Sequence, residues 1–338
     1  MKLTMLPPAK AEFWHAEKGG FVVCDLCPHA CRLAEGRSGL CKVRRNEEGK
    51  LRLPYYGLLS ALALDPIEKK PLHHFMPGSS VFSAGFVGCN LRCPFCQNWH
   101  ISQEVPPELE AMTPEGLASA ALSSGAPSIA YTYSEPCVHF EYVRDSMHAS
   151  RSLGLKNVLI TNGCLDPEPA RELLGLTDAV NIDLKTWSAS VYAKELGGNK
   201  DAVLEFIRLA AGLCLVEITT LVVPGLSDDA DGMASIAEFL ASISPDIPLH
   251  LSAYHPAWKY EEPSTNNEAL LELSRICQKR LDYVYIGNVL GQGSDTICPN
   301  CKTKLIARQG YQTKILAIEK KDSRAFCSYC GSALHIIV

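Results

Sequence analysis

Cys89, Cys93 and Cys96 lie within the run Val87-Gly88-Cys89-Asn90-Leu91-Arg92-Cys93-Pro94-Phe95-Cys96-Gln97-Asn98, three thiolates inside eight residues. One loop can therefore grip one metal centre. Four thiolates would close a tetrahedral zinc site or complete an ordinary four-iron cluster. Three leave one iron of such a cluster without a protein ligand, open to a substrate or cofactor. A zinc knuckle that borrows a fourth cysteine from elsewhere in the chain is the rival reading.

Two further cysteine sets flank this loop. Cys24, Cys27, Cys31 and Cys41 form a four-thiolate module in which Pro28 stiffens the knuckle and Gly36 and Gly39 permit tight turns. The expectation there is structural zinc, with an auxiliary iron-sulfur cluster as rival and His29 as a bystander. At the other end, Cys298, Cys301, Cys327 and Cys330 make two Cys-x2-Cys knuckles of the ribbon type. Zinc is expected, and a rubredoxin-like iron would use the same four sulfurs. Cys137, Cys164, Cys214 and Cys277 are isolated and read as buried packing, with a redox role for Cys137 or Cys164 as the alternative.

The elements that must position these groups come from length and pattern. The chain has 338 residues, 47% hydrophobic and 20% charged, with net charge -5. That is room for a barrel-sized core with small appended modules. The most cationic run, Lys42-Val43-Arg44-Arg45, is followed by Glu47 and Glu48, so nucleic-acid binding is unsupported. The opening Met-Lys-Leu-Thr-Met-Leu-Pro-Pro lacks a signal-peptide core, no apolar run reaches membrane-spanning length, and eleven of the fifteen cysteines fall in metal spacings. A reducing cytoplasm is the expected compartment.

Four regions are expected: an N-terminal four-cysteine module at 1–50, a connector at 51–79, a core at 80–292 and a ribbon module at 293–338. The connector, with Asp65-Pro66-Ile67-Glu68-Lys69-Lys70-Pro71 and His73-His74, shows no helical or strand period and reads as an extended segment laid over the core. The two histidines could carry protons to the cluster loop, although a structural role is the ordinary one. In the core, strands are expected at 80–86, 128–133, 157–161, 179–183, 215–223 and 249–253. Helices are expected at 113–125, 138–153, 167–174, 202–213, 229–243 and 267–279. Six alternations with right-handed crossovers predict an α/β fold, a partial (β/α)6 TIM-like barrel with cysteine-rich metal modules at both ends.

Chemistry in such barrels gathers where strands end. The expected strands end in Tyr133-Ser134-Glu135-Pro136, Thr161-Asn162-Gly163, Asp183-Leu184-Lys185 and Tyr254-His255-Pro256. Capping explains any one of them alone; four in register with a cluster loop point to a site.

With these motifs in place, the chain resembles the radical S-adenosylmethionine enzymes. The resemblance implies a [4Fe-4S] cluster on Cys89, Cys93 and Cys96 whose open iron binds S-adenosylmethionine, and reductive cleavage to a 5'-deoxyadenosyl radical. It implies cofactor contacts from Ser134, Glu135, Asp183 and Lys185, with Thr161, Asn162 and His255 lining the same mouth. Thr161-Asn162-Gly163 and Asp183-Leu184-Lys185 resemble segments of the glycyl-radical activating enzymes. Two departures stand out: Tyr133 and Ser134 replace the family's paired glycines, and Ile160 replaces an acid before Thr-Asn-Gly. The Cys-x2-Cys-Pro-His-x-Cys module, Asp65 to Pro71, Cys96-Gln97-Asn98, Tyr133 to Pro136 and Glu217-Ile218-Thr219-Thr220 resemble the radical enzyme of the AmmeMemoRadiSam system. That resemblance implies AMMECR1-like and Memo-like protein partners and an electron donor such as ferredoxin or flavodoxin. A glycyl-radical activating enzyme is the alternative of the same class, and a non-catalytic metal-binding adaptor the alternative of another.

Overall fold

A computed structural model describes residues 10–289, 294–322 and 324–338. The expected boundary between core and ribbon at 292–293, and the opening eight residues, lie outside the described residues.

The central strands are almost continuously apolar, as parallel strands covered on both faces must be. Ser128–Thr132 is buried along its whole length, and so is Leu249–Ala253. Eight strands form one sheet: β1 (Ala61–Pro66), β2 (Ser80–Gly85), β3 (Ser128–Thr132), β4 (Lys156–Thr161), β5 (Ala179–Asp183), β6 (Leu215–Val222), β7 (Leu249–Ala253) and β8 (Val284–Gly287). Their spatial order follows the chain, from β1 at one edge to β8 at the other, so the barrel is open. Strands β2 to β8 run parallel, and β1 is antiparallel to β2.

Six longer helices fill the crossovers, beside the short helices Trp99–Ser102 and Ala189–Lys194: α1 (Pro114–Ser123), α2 (Phe140–Ser152), α3 (Pro167–Leu176), α4 (Lys200–Ala211), α5 (Ala230–Ile243) and α6 (Asn267–Cys277). Their starts are chemically marked. Thr113 Oγ1 accepts from Gly116 N at 3.0 Å ahead of Pro114, and Asn199, Asp229 and Asn266 cap α4, α5 and α6 in the same way.

Two strands differ from expectation. The connector is not a featureless cover: residues 61–66 pair with the first barrel strand from Ala61↔Gly85 to Pro66↔Ser80. A seventh parallel strand, β8, follows α6, where only six alternations were expected. Its four residues are too short a run to announce themselves by period, and β7 decides their conformation by pairing.

Register brings the strand ends to one rim. Gly85 is opposite Thr132, Thr161 opposite Ile182, Asp183 opposite Thr219, and Ser252 opposite both Leu221 and Gly287. Every polar turn named from the sequence therefore opens on the same side.

The N-terminal module packs onto this rim. Its three-stranded sheet (Trp14–Ala16, Val22–Cys24, Arg32–Leu33) and a hairpin (Arg45–Glu47, Lys50–Arg52) are locked to α2 by Arg44, whose guanidinium donates to both Glu141 oxygens at 2.8 and 3.0 Å. Both side chains are almost fully buried, so removing either would strand a charge.

The C-terminal module forms two three-stranded antiparallel sheets around Leu305, Ile306, Ala325 and Leu334. It is stitched to the connector rather than appended to it. Ile337 N donates to His74 O at 2.8 Å, Met76 N donates to Ile337 O at 2.7 Å, and Arg308 donates to His73 O at 2.7 Å.

Candidate metal and cofactor site

The cluster loop leaves β2 through Gly88, whose φ is +76°. A Cβ at that position would lie 2.3 Å from Cys41 O, so only glycine allows the loop to pass the N-terminal module. Beyond it, the sulfurs of Cys89, Cys93 and Cys96 line one cavity of about 260 Å³. Ser134, Glu135, Asn162, Asp183 and Lys185 line the same cavity. Five of the seven predicted cofactor contacts are thus brought together. Thr161 lies one layer below, donating its hydroxyl to Glu135, and His255 faces an adjoining cavity of about 490 Å³.

Sulfur spacing tests what this loop can hold. Among the described residues, only Cys298, Cys301, Cys327 and Cys330 place three or more ligand atoms within 4.8 Å of one another. Cys89, Cys93 and Cys96 are spread more widely, as a multi-iron cluster requires and one tetrahedral ion does not. Their sulfurs are supported by polar neighbours: Leu91 N at 3.3 Å and Asn162 Nδ2 at 3.6 Å from Cys89, and Ser102 Oγ at 3.2 Å from Cys96. Burial pushes the Cys89 thiol well up, and pushes Cys93 to about 12 despite the opposing charge of Lys185. Iron binding must therefore supply the drive for ionisation.

The turn after β3 takes left-handed backbone without glycine. Tyr133 and Ser134 both have left-handed backbone, with φ of 49° and 60°, where the resembled family carries glycines. Such conformations cost on the order of 1–2 kcal/mol per residue outside glycine. Side-chain anchors hold them. Tyr133 donates to Asp65 at 2.8 Å, Lys70 Nζ lies 4.2 Å from its ring centroid, and Ser134 Oγ donates to Gly88 O.

Asp65 is the hub of this arrangement, accepting from Lys69 and Lys70 at 2.7 Å and from Ser83 at 2.8 Å. Burial alone would raise its carboxyl, but these donors hold it well below the usual range. The connector motif is explained by these contacts: it fixes the turn that faces the cofactor cavity.

Glu135 is 1% exposed and accepts three bonds: Thr161 Oγ1 at 2.7 Å, Asn162 N at 2.8 Å and Cys137 N at 3.0 Å. Burial raises its carboxyl and those donors oppose the rise. The carboxylate therefore ties the ends of β3 and β4 together and keeps one remaining acceptor direction for a ligand. Asp183 and Lys185 form an ion pair of 2.9 Å at the end of β5. Burial works against the ammonium, but Asp183 and the Cys93 sulfur keep Lys185 charged.

His73 and His74 do not reach the cluster loop. Their backbone amides donate to the two oxygens of buried Glu217 at 3.0 and 2.7 Å, and His250 completes that carboxylate at 2.7 Å. His74 also meets Tyr285 at 2.8 Å and His335 O at 3.0 Å. His74 is a structural anchor, and His73 also lines the adjoining cavity of about 490 Å³. Cys137 and Cys164 are buried, with thiols raised chiefly by desolvation, and both belong to the hydrogen-bonded floor of the site.

Sequence reasoning missed Thr219, Ser252 and Asn288, which line the cofactor cavity from β6, β7 and the end of β8. The register of parallel strands is the signal that could have found the first two. Pro71, Gln97, Ser252 and Asn288 line both cavities, so the two spaces adjoin. Gln97 Nε2 also lies 3.0 Å from His255 Nε2.

The tail quartet has different dimensions. Cys298 and Cys330 sulfurs are 3.7 Å apart, as are those of Cys301 and Cys327. Four sulfurs at about 2.3 Å from one ion would be separated by about 3.8 Å. A single tetrahedral ion fits.

Comparison with known proteins agrees with this geometry. Residues 85–237 match the model of the Radical SAM superfamily. An uncharacterized protein of Methanocaldococcus jannaschii is 39% identical over 336 residues, 97% of this chain and 99% of that protein. The pyruvate formate-lyase 1-activating enzyme of Escherichia coli K12 is 30% identical over 200 residues, 56% of this chain and 80% of that enzyme. Among solved structures, Streptococcus suis SuiB bound to precursor peptide SuiA is similar with TM-score 0.50 at 15% identity, covering 67% of this chain and 52% of that one, a likeness of fold alone. No helix among the described residues is long and apolar enough to cross a membrane.

Proposed function

The chain belongs to the radical SAM superfamily, and we propose that it cleaves S-adenosylmethionine reductively in the 260 Å³ cavity and directs the radical at a substrate held in the 490 Å³ cavity beside it. When bound, the [4Fe-4S] cluster supplies the electron that splits the sulfonium and yields the 5'-deoxyadenosyl radical. The chain's own residues hold and orient. Cys89, Cys93 and Cys96 would hold the cluster. Glu135 offers its free acceptor direction to the cofactor's ammonium, Lys185 meets its carboxylate, and Asp183 meets the ribose hydroxyls, as the chemistry of these donors and acceptors suggests.

The observation that carries this reading is the convergence of three spread sulfurs with Glu135, Asp183 and Lys185 on one cavity. The adjoining second cavity, bordered by Lys69, His73, His255 and Tyr311, supports a substrate site beside the site of radical formation. AMMECR1-like and Memo-like proteins are the proposed partners, and a ferredoxin or flavodoxin the proposed donor. Zinc is proposed for the tail. The test is anaerobic: reconstituted protein with dithionite and S-adenosylmethionine should release 5'-deoxyadenosine, and absence of that product would refute the reading.

A second reading, activation of a glycyl-radical enzyme, is favoured by the match to the pyruvate formate-lyase activating enzyme. Under it the 490 Å³ cavity would admit a glycine-bearing peptide loop. A glycyl EPR signal on an added enzyme of that class would establish it.

A further inference from the structure

The expectation for the N-terminal quartet is zinc, with an auxiliary iron-sulfur cluster as rival, and its geometry differs from that of the tail. Cys24, Cys27, Cys31 and Cys41 line one enclosed cavity. No three of their sulfurs lie within 4.8 Å of one another, in contrast to Cys298, Cys301, Cys327 and Cys330. That cavity, about 10 Å³, admits a water-sized sphere. Four sulfurs drawn to about 2.3 Å around a zinc ion would leave no such space.

The wall of the cavity also suits a cluster. Arg44 lines it, its guanidinium beside the Cys24 sulfur, and Arg44 Nε is buried without an oxygen or nitrogen acceptor. A metal-bound sulfur is an acceptor for that N–H. Gly39 brings bare backbone between two of the sulfurs; a Cβ there would lie 3.6 Å from Cys31 Sγ and 3.7 Å from Cys41 Sγ.

Position gives the site a use. Asn90, the neighbour of Cys89, lines this cavity too. Its Oδ1 accepts at 2.9 Å from Asn162 Nδ2, the amide that reaches Cys89 Sγ, and its carbonyl meets His29 Nε2 at 2.8 Å. Cys41 O abuts Gly88 on the other side of Cys89. The two thiolate sets are therefore back to back across residues 88–90.

We propose that Cys24, Cys27, Cys31 and Cys41 hold an auxiliary four-iron cluster that relays single electrons to the Cys89, Cys93 and Cys96 centre. One electron from a ferredoxin- or flavodoxin-class donor reduces the auxiliary cluster; the same electron passes on, and the relay returns oxidised with no bond or proton changed. The relay rests on the radical-enzyme reading, whereas the second cluster does not.

The test reconstitutes the full chain with iron and sulfide and counts acid-labile sulfide, which a mononuclear ion lacks. About eight sulfides and about one zinc per chain are expected, four sulfides from each cluster. The triple variant Cys89→Ala, Cys93→Ala, Cys96→Ala should keep about half of the sulfide and a low-temperature EPR signal on reduction. The double variant Cys24→Ser, Cys41→Ser should also lose half, retain dithionite-driven release of 5'-deoxyadenosine, and lose at least tenfold with reduced flavodoxin. About four sulfides and about two zincs in the unmodified chain, or a triple variant without sulfide, would overturn the cluster. Unchanged turnover with flavodoxin in the double variant would overturn the relay. Should the double variant not fold, the counts on the unmodified chain and the triple variant still decide. A triple variant that keeps its sulfide, from a chain that makes no 5'-deoxyadenosine, would leave the second cluster standing and remove the enzyme reading instead.

Discussion

Tyr133 donates its hydroxyl to Asp65 at 2.8 Å across 68 positions of sequence, joining the connector to the turn that faces the cofactor cavity. This bond explains how two non-glycine residues persist in left-handed backbone beside Glu135. It also gives the charged connector motif a purpose, since the Lys70 ammonium meets both partners of the bond.

Asp65→Asn should therefore be expensive. Lys70 is 2% exposed, and stripping a buried ammonium of its counter-charge costs about 3–5 kcal/mol. Tyr133→Phe removes one neutral donor and should cost about 1 kcal/mol. Urea denaturation measures both, and affinity for S-adenosylmethionine should fall in the same order. Equal stabilities for the two variants would show that Asp65 is not the hub.

Glu135→Gln keeps the shape but turns an amide NH2 toward a donor that now meets an oxygen. Affinity for S-adenosylmethionine should drop by about tenfold or more, because a charge-assisted contact is lost. Iron and sulfide content should stay at the level of the unmodified chain. Unchanged affinity by equilibrium dialysis would remove Glu135 from the cofactor site.

Stability should fall with acid through three buried imidazoles. Burial holds His74 and His139 each at about 4, against 6.5 for an exposed histidine, and holds His73 well below that value too. All three remain neutral in the folded chain while the unfolded chain takes up protons. Their stabilisation is complete above about pH 6.5 and drains as the pH falls toward 4, at up to about 1.4 kcal/mol per pH unit for each histidine. Urea midpoints at pH 7, 6 and 5 should show this slope, reduced by about a third in His139→Gln. A flat profile would contradict the burial of neutral histidines.

The tail should behave as a metal-held clamp on the connector. Cys330→Ala should release about one zinc per chain and lower Tm by more than about 5 °C, since the contacts of Arg308 and Ile337 with residues 73–76 depend on a folded ribbon. A ferric-thiolate spectrum from protein purified without added metal would identify iron there instead.

Much of this site is legible in the sequence because its signals are local. Ligand spacing names the three cysteine sets, and strand-end turns name Glu135, Asn162, Asp183 and Lys185. What resists reading is decided by distant partners. Asp65 finds Tyr133, and Glu217 finds the amides of His73 and His74, only after the sheet has formed. Strand β8 has four residues and takes its conformation from β7. Replacement of the paired glycines is legible as a departure from the resembled family, whereas the side-chain anchors that hold left-handed backbone at Tyr133 and Ser134 are not. Cysteine spacing could not separate a single ion from a cluster, because that choice is written in sulfur-to-sulfur distances.

One measurement bears most directly on the account as a whole: production of 5'-deoxyadenosine from S-adenosylmethionine by the anaerobically reconstituted chain, with Cys93→Ala as its partner. The unmodified protein should form the product under dithionite. Cys93→Ala should form none, lose the iron-sulfur absorbance of its own centre and retain the zinc of the tail. Product formation at an unchanged rate by Cys93→Ala, or none by either protein, would contradict the assignment of Cys89, Cys93 and Cys96 as the centre of this enzyme.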